Sequence, residues 1–113
     1  MWAQTNEDNI KRDVEYCNDI LFNKPNCLKF WEYIKIIPEK WQENTMGNEG
    51  GGFWVVAILG KSVIYYNDIE EGYNLSTFTN YGEIDKYNCA QMELHEIIES
   101  LFYEIERKEN NSR

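Results

Sequence analysis

The sequence predicts an α+β domain in which an antiparallel sheet of three or four strands packs against N-terminal helices and a C-terminal helix. Three observations carry this: helical apolar spacing in the first third, β-branched and aromatic runs in the middle, and a long amphipathic stretch at the end. At 113 residues a chain buries about two-thirds of its unfolded surface, enough for one core, so residues 1–113 read as a single domain.

Ile10, Val14, Cys17 and Leu21 fall at i, i+4, i+7 and i+11, one face of a first helix, with Lys11, Arg12, Asp13, Glu15 and Asp19 on the others. Pro25 interrupts the pattern, and Asn26 is placed to cap a second helix carrying Cys27, Phe30, Trp31, Ile34 and Ile37. Pro38 ends or kinks that helix, and a Pro-Glu-Lys-Trp turn tucks Trp41 toward the core. Residues 42–52 hold four glycines and no apolar period, which reads as a mobile connector.

Phe53–Leu59 and Ser62–Asn67 are β-branched and aromatic, and Gly60-Lys61 between them suits a two-residue hairpin turn. Strict alternation puts Trp54, Val56 and Ile58 with Val63 and Tyr65, and Val55, Ala57 and Leu59 with Ile64 and Tyr66. Both faces are then apolar. Either helices cover both, or helices cover one and a partner protein the other. Residues 68–75 read as a polar loop, and residues 76–81 and 83–87 supply one or two further strands around Gly82. In the last element Asn88 stands as N-cap with Gln91 three residues on. The stripe Leu94, Ile97, Ile98, Leu101, Phe102 and Ile105 follows, and the chain is expected to fray beyond Glu109.

Eleven Lys and Arg against twenty Asp and Glu give a net charge of -9, which repels nucleic-acid phosphates and anionic headgroups. Neither nucleic acid nor a membrane surface is an expected partner; a basic protein is, although the same acidity also serves solubility. The N-terminus has no basic segment followed by an apolar run, and the longest apolar run falls far short of the ~20 residues of a membrane span. Three cysteines, Cys17, Cys27 and Cys89, without C-x-x-C spacing fit a reducing compartment, so the expected location is the cytoplasm.

Catalytic material is thin. The single histidine, His95, lies between glutamates and reads as a surface residue. Gly60-Lys61-Ser62 lacks the first glycine of a phosphate-binding loop, where Val55 stands, and joins two strands instead of opening a helix. No Cys-His spacing suits zinc, and Asn67-Asp68-Ile69-Glu70-Glu71-Gly72 does not match a calcium loop. The chain is accordingly expected to be no enzyme and to need no cofactor or metal.

One feature stands out. Between Lys61 and Lys86 no basic residue occurs, while Asp68, Glu70, Glu71, Glu83 and Asp85 all fall inside that interval among tyrosines. Carboxylates beside aromatic anchors are what a basic protein surface selects. The candidate binding residues are therefore these five acids, as partners of basic side chains, with Tyr73 and Tyr81 as anchors that the complex buries.

Gly51-Gly52-Phe53-Trp54-Val55-Val56-Ala57-Ile58, followed by Val63-Ile64-Tyr65-Tyr66-Asn67-Asp68-Ile69-Glu70-Glu71-Gly72-Tyr73-Asn74, resembles immunity proteins of bacterial toxin systems, particularly contact-dependent growth inhibition. The resemblance continues through Ser76, Gly82, Ile84, Tyr87, Gln91 and Leu94 and covers the C-terminal half. It implies a small cytoplasmic protein that binds the C-terminal domain of a cognate toxin, often a basic nuclease, and blocks its active site or substrate groove. The competing expectation is a small-ligand or sensing module whose pocket between sheet and helices is lined by Trp54 and Tyr65.

Overall fold

Of the predicted stripe, Ile10, Cys17 and Leu21 are fully buried and Val14 is partly buried on α1 (Glu7–Leu21) of the computed structural model, which describes residues 5–111. Asn6 caps this helix, its side chain accepting the Asn9 N–H at 2.9 Å. The second helix, α2 (Pro25–Ile34), opens on its proline, where a missing N–H costs nothing. Asn26 therefore lies inside the helix and is not its cap.

Strand β1 (Lys35–Glu43) follows α2 directly, which corrects the expected continuation to Ile37 and the turn at Pro38. Lys35 already has extended backbone. Pro38 lies where the β1–β2 register shifts between Lys35 and Glu39, a bulge that asks no ladder hydrogen bond of it. Trp41 is buried as expected, but from a strand.

The hairpin of β2 (Phe53–Leu59) and β3 (Ser62–Asn67) forms as predicted, with Gly60 at φ +61° in its turn. Its alternation slips once, between Val55 and Ala57. Trp54, Val56, Ala57 and Leu59 accordingly share one cluster with Ile64 and Tyr66, and Phe53, Val55 and Ile58 share the other with Val63 and Tyr65. Strict alternation had assigned Trp54, Val55 and Val56 to the opposite faces. Strand β4 (Gly72–Thr77) begins inside the stretch read as loop, and β5 is only Glu83–Ile84.

The sheet has five strands in the order β4-β3-β2-β1-β5, antiparallel except for the parallel β1–β5 pair. It is thus mixed, and larger than the three or four antiparallel strands expected. The α+β class is as predicted, with α1, α2 and α3 (Leu94–Asn111) burying one face through Ile10, Trp31, Ile34, Ile97 and Ile98.

The other face is covered by the chain itself. Trp41, Phe53, Val55, Val63, Tyr65, Phe78 and Ile84 form a second core, with Phe53 stacked on Tyr65 and Trp41 edge-on to Phe78. After β5, residues 85–92 run along the free edge of β4. Thr77 O accepts from Asp85 N at 3.0 Å, Asn74 and Ala90 exchange two bonds, and Met92 O accepts from Tyr73 N at 2.8 Å. One segment thus borders both outer strands, curling the sheet and shielding the edge that β4 would otherwise expose. Asn88 serves this closure, its side chain donating to Leu75 O at 2.6 Å; it does not cap α3, which starts six residues later. α3 continues through Asn111, so the fraying expected beyond Glu109 does not begin there; Ser112 and Arg113 lie outside the described residues.

The glycine-rich connector is tied down. Glu43 is 1% exposed, and its carboxylate accepts from Thr45, Met46 and Gly47 N–H at 2.7–3.0 Å. Burial alone would raise its pKa; these donors outweigh it and hold the carboxyl below its ordinary range.

Candidate binding cleft and the acidic residues

The seven predicted binding residues fall into two groups on different turns. In the β3–β4 turn Asn67 folds the backbone, its Oδ1 accepting from Ile69 and Glu70 N–H and its Nδ2 donating to Asn88 O. Asp68 is buried and accepts Thr5 N–H at 3.0 Å, so it secures the approach to α1. Tyr73 lies in the helical core, 3% exposed, and its hydroxyl donates to Asp13 Oδ2 at 2.8 Å. Glu70 and Glu71 remain at or near the surface. Glu71 has φ 58°, a left-handed conformation that favours glycine.

The second group lies around β5, at the entry to the closing segment. Tyr81 is 66% exposed; its ring lies 4.7 Å from that of Trp41 and its hydroxyl donates to Glu39 at 2.6 Å. That bond and the Trp41 indole N–H hold the Glu39 carboxyl below its ordinary range. Asp85 accepts from the hydroxyls of Thr77 and Thr79, and Glu83 pairs with Gln42 in β5.

Around the first group the fold builds a cleft of about 190 Å³. Asp13 and Tyr16 come from α1, Tyr66 from β3, Glu71 from the turn, and Glu93 and His95 from the start of α3. Three carboxylates line it and, among the described residues, no lysine or arginine does. Two of them act on Tyr66, whose hydroxyl pKa is raised first by burial and then by Asp13, Glu71 and the neighbouring Asp68. Burial and Asp13 likewise hold the Tyr73 hydroxyl protonated far above the ordinary range. His95 is largely covered, its Nε2 at 2.9 Å from Glu93 Oε2 and its ring edge-on to Tyr16. Its Nδ1 is buried without a hydrogen bond, 3.7 Å from Glu99 Oε1.

A second, more apolar groove of about 390 Å³ runs between α3 and the closing segment, past Leu75, Met92, Ile97 and Leu101. Trp54 and Tyr65, expected to line one pocket between sheet and helices, belong instead to the cores on opposite faces of the sheet.

Of the predicted residues, the cleft gathers Glu71 and Tyr73. Asp13, Tyr16, Glu93 and His95 carry no local motif. Asp13 stands beside the α1 stripe, a flank from which a charge reaches the rim of a buried face. Glu93 and His95 stand at the start of α3, which the expected cap at Asn88 placed earlier in the chain, hiding their position at a cleft mouth. No group of three or more histidine, cysteine, aspartate or glutamate side chains among the described residues is arranged to hold a metal ion. No described helix is long and apolar enough to cross a membrane.

Comparison of the chain with known protein families, with curated proteins and with solved structures finds no match.

Proposed function

We propose that the protein is an immunity protein of a bacterial toxin system, which neutralises a basic cognate toxin domain in the cytoplasm by binding it and performs no chemistry of its own. The observation that carries this reading is the carboxylate-lined cleft, set in a chain of net charge -9. Such a surface steers a basic partner into encounter and then desolvates it against tyrosine rings. The sequence resemblance, through Glu70, Glu71 and Gly72, converges on the same turn. Because the second sheet face is filled by the chain's own segment, the partner is not needed to complete the fold.

The test is direct. The C-terminal domain of a large secreted protein encoded beside this one, purified and titrated with it, binds one to one, and its toxicity in a susceptible cell is suppressed by coexpression. Binding weakens as salt rises. Absence of binding to that domain, or binding indifferent to salt, contradicts the reading.

A further inference from the structure

The cleft at Asp13 and Glu71 has chemistry beyond a diffuse acidic surface. It is a bounded space of about 190 Å³ in which phenol rings and carboxylates meet: Tyr16 and Tyr66 line it together with Asp13, Glu71 and Glu93. One Asp13 oxygen is engaged by the Tyr73 hydroxyl and one Glu93 oxygen by His95, and a carboxylate retains acceptor capacity on its second oxygen. The cleft also lies at the start of α3, where a helix ordinarily favours anions. Here the Glu93 N–H is taken by the Glu96 carboxylate at 2.8 Å, and the lining carries three acids. An anion is therefore repelled and an apolar group leaves carboxylates unpaired, whereas a planar cation pairs with the carboxylates and packs on the phenol rings. Guanidinium stacks on an aromatic face and presents forked N–H donors to a carboxylate; ammonium offers only a point charge.

We propose that this cleft is the seat of a guanidinium group, supplied by an arginine side chain of the protein partner. The partner clause rests on the immunity reading; the cleft's preference for guanidinium does not.

The experiment titrates isotope-labelled full-length protein with N-acetyl-arginine amide and follows the backbone amides of Glu71, Gly72, Glu93 and His95 by NMR. The neutral citrulline amide and the lysine amide serve as comparisons. The expected result is a saturable shift confined to these residues, with the citrulline probe at least about tenfold weaker and the lysine probe weaker than arginine. Glu71→Gln and Tyr16→Ala, both at exposed positions, each weaken the arginine probe by about threefold, and Glu71→Gln does so without lowering the melting temperature.

No saturable shift, equal binding of citrulline, or preference for lysine overturns the guanidinium seat. Free arginine or agmatine binding about a hundredfold more tightly than the capped amide overturns the protein source in favour of a small molecule. A toxin domain whose affinity is unchanged by Glu71→Gln, with the probe still bound by wild type, overturns the placement of the seat at the interface. Probe binding without any toxin partner removes the immunity reading and leaves the seat standing.

Discussion

The Tyr73 hydroxyl and the Asp13 carboxylate, sixty residues apart, meet at 2.8 Å and join β4 to α1 at the cleft. A residue expected to anchor a partner is thereby an internal strut, and its acceptor on α1 is a carboxylate of the cleft. Replacing Tyr73 with Phe keeps the ring and removes the bond. We expect a loss of about 1.5–3 kcal/mol, the usual contribution of a hydrogen bond to a charged group, read by urea denaturation. An unchanged midpoint would mean that the bond adds nothing.

Glu43 organises the glycine-rich turn with three backbone N–H bonds to its buried carboxylate. Glu43→Gln is expected to cost about 2 kcal/mol at pH 7. Because the folded pKa lies below the ordinary value of 4.5, the stabilisation is complete above pH 4.5 and is lost as pH falls through the folded pKa. The gap between wild type and variant should therefore narrow in acid; a gap that widens there contradicts the assignment.

Gly72 is a point of close approach between β4 and the closing segment. A Cβ there would lie 2.4 Å from Gln91 Cα and 2.6 Å from Ala90 O, both backbone atoms. Gly72→Ala should destabilise the fold by more than about 2 kcal/mol and speed amide exchange at Tyr73 and Ala90, whose N–H groups bond across this seam.

The thiols should separate cleanly. Burial pushes Cys17 up to about 12 and raises Cys27 as well, while Cys89 is exposed. One equivalent of a thiol reagent is expected to react rapidly at pH 8, at Cys89, and the other two only on unfolding. Rapid reaction of two or three thiols in the native protein would show that the helical core opens.

Glu71 holds a left-handed backbone conformation, at φ 58°. Glu71→Gly should raise stability by about 1 kcal/mol while weakening the arginine probe, because strain is relieved and a cleft carboxylate is lost. A variant that is both more stable and an undiminished binder would remove Glu71 from the site.

Much of this architecture is legible in the sequence where one physical signal acts alone. The α1 stripe and the Gly60 hairpin follow from periodicity and turn chemistry, and both form as read. β1 is hidden because Ile34 and Ile37 continue the helical spacing of α2, and because Pro38 reads as a terminator unless a bulge is available to hold it. The bulge at Val56 is invisible for a related reason: in a run apolar at every position, alternation has nothing to contrast with. The closing segment uses side chains, those of Asn74, Ser76 and Asn88, where a ladder would use backbone, so residues 85–92 carry no strand pattern. At the cleft, Glu71 is found by the charge gap, but Asp13 and Glu93 come from elements distant in sequence, and only the packing of α1 and α3 against the sheet brings them to it.

The proposed function requires that a basic protein partner be held at the cleft and its adjoining turn. The most direct measurement is quantitative recovery of bound proteins from native cells by tagged wild type and by Glu70→Lys/Glu71→Lys, at low and high salt, with both proteins shown to melt alike. A stoichiometric basic toxin domain is expected on wild type, reduced by salt and at least about tenfold depleted on the double variant. The same domain retained equally by both proteins, or no stoichiometric partner from cells that produce the neighbouring toxin, would contradict it.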